Sequence, residues 1–178
     1  MSLRLEMLQV ARLARSVMGE DAASLVESFI RGQQNEDGGF RDRDGESDLY
    51  YTSFAIDALT ALQVPLPEVA LRRYLDDRLE SLDELDFVHL CCLSRCFSAL
   101  GSRPPAAVIA PVLERIERYR TADGGFNQSD DDETGSAYAC FLAYVAYADH
   151  GLTLPDAEGV ARCLDSLRAP GGAWANDV

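Results

Sequence analysis

Acidic side chains gather just ahead of two aromatic runs. Asp48 precedes Leu49-Tyr50-Tyr51-Thr52-Ser53-Phe54, and Asp130-Asp131-Asp132-Glu133 precedes a run from 137 to 145 that holds Tyr138, Phe141 and Tyr144. Aligning Phe54 with Tyr138, an offset of 84, sets Asp48 opposite Asp132. If both runs are parallel inner helices, their N-termini share one mouth, crowded by four to six carboxylates. Crowded carboxylates repel, which raises some pKa values or draws in a divalent cation. Each position also suits a simpler role, with Asp48, Asp132 and Thr134 as N-caps and the other acids beside a helix dipole. His89 stands among Phe87, Val88, Leu90 and Cys91. Such surroundings fit a hydrogen-bonded core histidine as well as a ligand. There is no G-x-S-x-G elbow, H-E-x-x-H pair, P-loop or G-x-G-x-x-G.

The elements that position these groups are helices. Turn signals divide the chain into segments near 3–18, 22–33, 49–63, 68–79, 86–100, 105–119, 134–149 and 156–168, with breaks at Gly19, Pro65 and Pro67, Gly101 with Pro104-Pro105, and Gly151 with Pro155. No segment reads as a strand. The segments 49–63, 86–100 and 134–149 are apolar nearly all round, whereas those between them carry one apolar stripe, as Leu71, Tyr74, Leu75 and Leu79 do in 68–79. A helix apolar all round must be enclosed, and a one-faced helix lies at the surface. The alternation predicts an inner ring wrapped by an outer ring, an all-α, α/α toroid.

A recurring turn supports the same reading. Asp37-Gly38-Gly39-Phe40, Asp123-Gly124-Gly125-Phe126 and Gly171-Gly172-Ala173-Trp174 have glycine pairs 86 and 47 residues apart, and 86 is two steps of 43 with one degenerate copy between. A period near 43 marks an array of helix pairs. Two glycines permit φ > 0, and the aromatic that follows can plug the space between pairs. Residues 1–178 then form a single toroid-like domain of about four pairs, part of a longer six-repeat ring or an array with an open edge. An open edge exposes apolar helix faces, so a homo-oligomer or a partner chain completing the ring is expected.

With its Gln33-Gln34 lead-in, Gly-Gly-aromatic turn, acidic linker and aromatic inner helix, the chain from about residue 22 onward resembles the prenyltransferase and squalene-oxidase repeat family. That family includes protein prenyltransferase β subunits and squalene–hopene-type cyclases. The resemblance implies an isoprenoid or its diphosphate as ligand, a prenyltransferase- or terpene-cyclase-like activity, and zinc or another divalent metal. Asp86-Phe87-Val88-His89 is similar to the β-subunit Asp-Phe-x-His motif, and Asp48-Leu49-Tyr50-Tyr51 is similar to Asp-x-Cys-Tyr with Tyr50 in the place of Cys. The comparison makes Asp48 and His89 metal ligands, with Cys91 or Cys92 needed as a third. It also makes Arg43 and Tyr51 diphosphate contacts, although the accompanying Lys is missing. Asp130-Asp131-Asp132-Glu133-Thr134 is similar to the cyclase Asp-x-Asp-Asp-Thr motif, which makes Asp130, Asp132 and Glu133 the candidate acid groups. Tyr50, Tyr51, Phe54, Phe87, Phe97, Tyr138, Phe141, Tyr144 and Tyr147 could line an isoprenoid cavity or pack the core. A non-catalytic helical-repeat module for protein–protein interaction needs only the repeat and remains the alternative.

Composition narrows the partners. A net charge of −14 argues against nucleic acid, since phosphate contacts need a basic face. All 16 cationic side chains are Arg and none is Lys. No stretch reaches the roughly 18 apolar residues of a membrane span, and Arg4, Glu6, Arg12 and Arg15 interrupt any secretory signal. Five cysteines without a C-x-x-C pair fit reduced thiols in a cytoplasmic protein.

Overall fold

The computed structural model describes residues 3–100 and 104–177, except for the Leu5 side chain. The expected break at Gly101 lies outside the described residues. The inner helices are α4 (Leu49–Ala61), α6 (Phe87–Ala99) and α8 (Ala137–Ala148), and the outer ones are α3 (Glu20–Arg31), α5 (Glu68–Glu80), α7 (Ala106–Glu117) and α9 (Ala157–Ser166). In sequence, inner and outer helices alternate. α6 packs between α4 and α8, and the outer helices α5 and α7 close over it. Each outer helix buries one stripe, such as Leu71, Tyr74 and Leu75 of α5 or Ile109, Val112, Leu113 and Ile116 of α7. This is the all-α toroid arrangement predicted from the two kinds of helix, and no described helix is long and apolar enough to cross a membrane. The five cysteines are buried and free.

Two turn glycines are held by contact as well as by conformation. Gly38 has φ +102° and Gly124 has φ +92°, a region L residues rarely adopt. A Cβ on Gly38 would lie 2.0 Å from the Ala70 carbonyl oxygen of α5, and one on Gly124 would lie 2.8 Å from Gly159 Cα of α9. The turns therefore seat directly on the next outer helix. Phe40 and Phe126 fill the space inside, at 1% and 0% exposure. The Phe40 amide donates to Thr52 Oγ1 at 2.9 Å, and the Phe126 amide donates to Cys140 Sγ at 3.3 Å. In the third copy Gly172 has φ +81°, so the turn register starts one residue later than the Gly171-Gly172 pairing implied. Trp174 then stands where the phenylalanines stand, bridged to Arg168 as Phe40 is to Gln34 and Phe126 to Arg120.

Several sequence expectations are corrected. The segment 3–18 is two helices, α1 (Leu3–Ala11) and α2 (Ala14–Met18). Its ends are tied to different places: Arg4 bonds Asp57, while Arg15 donates to the Leu62 carbonyl beyond α4 at 2.9 Å. One straight rod does not serve both. A short ribbon also forms, β1 (Phe40–Arg41) antiparallel to β2 (Ser47–Asp48), too brief for a period-two pattern to register. Its loop is held by Asp42 Oδ1, which accepts from the amides of Asp44, Gly45 and Glu46.

The start of α8 shifts as well. Ser136, not Asp132 or Thr134, is its N-cap, and Ser136 Oγ accepts from the Ala139 amide. Gly135 cannot join the helix because its amide is held by both oxygens of Asp123, at 3.2 and 3.1 Å, and its Cα lies against Gly125 and Cys163. Thr52 and Cys140 do the same work in their repeats, so the true offset at the inner helices is 88 (140 − 52), and Asp48 corresponds to Ser136.

Candidate functional site

Hydrogen bonds at both ends align the inner helices. At their N-termini Asp48 caps α4 by accepting from the Tyr51 amide at 3.0 Å, and Asp86 caps α6 by accepting from the His89 amide at 2.9 Å. His89 joins the two caps. Its Nε2 lies 2.8 Å from Asp48 Oδ2 and its Nδ1 lies 2.8 Å from Asp86 Oδ1. Partial burial pushes the imidazole pKa down, but the hydrogen bond to Asp48 and the Asp86 carboxylate outweigh it, and the net shift is upward. When protonated, the ring donates to both carboxylates.

At the other end Arg4 of α1 gathers all three inner helices. Its Nε and Nη2 donate to Asp57 Oδ1 of α4 at 3.1 and 2.9 Å, and its Nη1 donates to Ser98 Oγ of α6 at 3.2 Å. The same nitrogen lies 3.5 Å from Asp149 Oδ2, just beyond α8. Arg95 of α6 pairs with the second oxygen of Asp57. The Arg4 side chain is 6% exposed and that of Asp149 is 0%, so this charge cluster is set into the protein.

Between the two ends, α1, α4, α6 and α8 enclose a cavity of about 400 Å³. Tyr50, Phe54, Tyr138 and Phe141 supply aromatic wall, with Val88, Leu142 and Val145 beside them. Tyr50 and Phe54 meet edge to face with centroids 4.8 Å apart. Phe54 is 50% exposed and Phe141 43%, so one side opens to solvent. The polar groups on the wall are Ser53, Cys92 and the cluster of Arg4, Asp57 and Arg95. Burial pushes the Cys92 thiol up to about 11, so it stays neutral at physiological pH.

The sequence-derived candidates separate into groups. Phe54 and Tyr138 line the cavity. Asp48 and His89 meet at the N-terminal ends of α4 and α6, with Tyr51 beside them on α4; none of the three lines the cavity. Arg43 is exposed in the loop between β1 and β2, and Asp130, Asp132 and Glu133 are exposed on the loop before α8. None of these four lines the cavity. Of the other aromatics, Phe87, Phe97 and Tyr147 are buried in the core.

Asp48 and His89 supply two donors to a metal and are bonded to each other, while the second imidazole nitrogen is taken by Asp86. Cys91 is buried, and its thiol is pushed well above its ordinary pKa by that burial. Zinc takes three or four protein ligands, and no group of three or more His, Cys, Asp or Glu able to hold a metal occurs among the described residues. The residues present do not fit a zinc site.

Arg4, Asp57 and Arg95 were not singled out from the sequence, yet a signal was there. Asp57 is the one charged residue in α4, and Arg95 is the one arginine in the mostly apolar α6. A lone charge on an enclosed helix must find a partner, because an unpaired buried charge is too costly to keep.

No curated protein and no solved structure matches the chain. A family model, the prenyltransferase alpha-alpha toroid domain, matches it twice, over residues 7–90 and 80–165. Together the two matches cover the inner helices α4, α6 and α8, which line the cavity. By fold, turn chemistry and this match, the chain belongs to the prenyltransferase alpha-alpha toroid family.

Proposed function

We propose that the protein binds an isoprenoid-class apolar molecule in the cavity between α1, α4, α6 and α8. The observation that carries this reading is the cavity itself, about 400 Å³ of largely aromatic and aliphatic wall at the centre of the inner ring. Ligand sites are characteristically concave and apolar with a few convergent polar groups, and this volume lies within their usual range of roughly 300–1,000 Å³. The aromatic faces suit an unsaturated branched chain by dispersion and π contact. The exposed acids at 130–133 and Arg43 stand apart from this wall, so the reading is of binding and not of a defined chemical step.

Val88→Trp tests it, because Val88 lines the cavity and the larger side chain fills it from α6. A molecule present at a hundred times its dissociation constant stabilises the folded state by about 2.7 kcal/mol. For a chain of this length that is a rise in Tm of about 5–10 °C. Farnesol is expected to raise the Tm of the native chain by that order and to leave Val88→Trp unmoved. An equal response in both proteins, or none in either, contradicts the reading.

A second reading rests on a separate observation. Val10, Leu13, Val17, Leu25 and Phe29 on α1 to α3 are 63–82% exposed, an apolar edge of the kind a second copy or a partner chain covers. Sedimentation of the purified chain across concentrations distinguishes a self-associating species from a monomer.

A further inference from the structure

The first two glycine turns share a pattern in what they seat on. Gly38 presses on Ala70 and Gly124 on Gly159, and each of these is the third residue of its outer helix, α5 or α9. The fourth residue, Leu71 or Val160, is buried beneath. α7 also buries its fourth residue, Ile109, but its third is Val108, and the repeat before it is the copy whose turn has lost its glycines. A small third residue therefore marks an outer helix that receives a glycine turn. α3 carries this mark: Ala22 is third and Ala23, 2% exposed, is fourth. Yet Ala22 is open to solvent, whereas Ala70 is half-buried and Gly159 buried.

The third turn is the complementary half. The Gly172 amide donates to the Ala169 carbonyl at 2.9 Å, Ala169 to Ala173 at 2.8 Å and Ala175 to Leu167 at 2.9 Å, the same bonds that fold the turns at Gly38 and Gly124. Gly172 has φ +81°, but among the described residues nothing lies within 4 Å of the place a Cβ would take. The rim agrees. Arg73, sixth in α5, donates to the carbonyls of Glu36 and Asp37 in the first turn. The sixth residue of α3 is Leu25, 72% exposed, and the Glu36 position of the third turn is Pro170, also exposed, so an apolar pair replaces a polar one. Arg120 of the second turn donates to the Pro155 carbonyl two residues ahead of α9 at 2.9 Å. Arg168 holds that place in the third turn, and the matching carbonyl ahead of α3 belongs to Met18.

Resting on the self-association form of the second reading above, we infer that the third turn of one copy seats on α3 of a second copy, with Gly172 on Ala22 and Pro170 against Leu25. Phe29, four residues beyond Leu25, shares that helix face. Turn and helix are both folded beforehand, so their meeting costs little ordering. Two copies that exchange the contact reciprocally form a closed dimer with two identical contacts.

The experiment is sedimentation equilibrium of the full native chain, of Ala22→Arg, of Pro170→Arg and of an equal mixture of the two variants. Both positions are exposed, and Tm recorded at dilution checks that each variant is folded. The native chain is expected to dimerise. Each variant spoils both contacts of its own dimer, and a loss of about tenfold at each raises the dissociation constant about a hundredfold. The mixture keeps one intact contact, the native turn of Ala22→Arg on the native α3 of Pro170→Arg, so it is expected to dimerise about tenfold more tightly than either variant alone. Dimers that persist in both variants, or a mixture no tighter than its components, overturn the turn-on-helix contact while leaving self-association standing. A native chain that stays monomeric throughout overturns both.

Discussion

His89 holds two helix caps with one ring, and its chemistry follows from that placement. Its pKa is raised above the ordinary 6.5, so the folded state binds the proton more tightly than the unfolded chain does. The stabilisation is fully present below the unfolded pKa and is lost as pH rises through the higher folded value. Denaturant melts of the native chain and His89→Gln should therefore differ most near pH 6 and converge toward pH 9, with a gap of roughly 1 kcal/mol or less for a pair this exposed. A gap that does not change with pH contradicts the account. At the opposite end, Asp57 pairs with both Arg4 and Arg95, one through each carboxylate oxygen. Asp57→Ala leaves two largely buried guanidiniums short of a partner and is expected to cost about 3–5 kcal/mol in equilibrium unfolding. A cost under about 1 kcal/mol would show that solvent reaches the cluster freely.

At the scale of elements, the repeat turns and the two kinds of helix were legible, and the reasons are physical. A left-handed glycine pressed on the next helix admits no side chain, so Gly38 and Gly124 are written plainly into the chain. Inner helices enclosed on all sides have no polar face to break their apolar run. The register between turn and inner helix was not legible, because the linker before α8 is two residues longer than its counterpart before α4, and aligning aromatics absorbed that difference in the wrong direction. Ser136 and Thr52 reveal it through the hydrogen bonds they accept, which depend on folded geometry. The role of α1 was hidden for a related reason: nothing in its own pattern says that Arg4 will meet Asp57, 53 residues away. The turns also differ in what they bear. Phe126 is wholly buried, whereas Trp174 is 55% exposed. Phe126→Ala should cost about 3–5 kcal/mol and Trp174→Ala well under about 1 kcal/mol, as read from denaturant midpoints. Equal costs would mean that the third turn is as much a part of the core as the second.

Across the whole molecule, α1 is what makes the cavity. It packs on α4 and on α8, while α6 packs between those two, so four helices surround a space that three alone would leave open. The candidate site was only half legible for that reason. Phe54 and Tyr138 could be found from an aromatic inner helix, but the wall given by Arg4, Met7 and Leu8 comes from a segment with no repeat signature. The acidic loop at 130–133 drew attention by composition, yet folding leaves it at the surface. The central claim is that this cavity takes up an apolar molecule. Titration calorimetry of the native chain with farnesol at several temperatures tests it most directly. Saturable binding of one molecule per chain with a negative heat-capacity change, abolished by Val88→Trp, is the predicted result. Heats that do not saturate, or binding that Val88→Trp leaves intact, would contradict it.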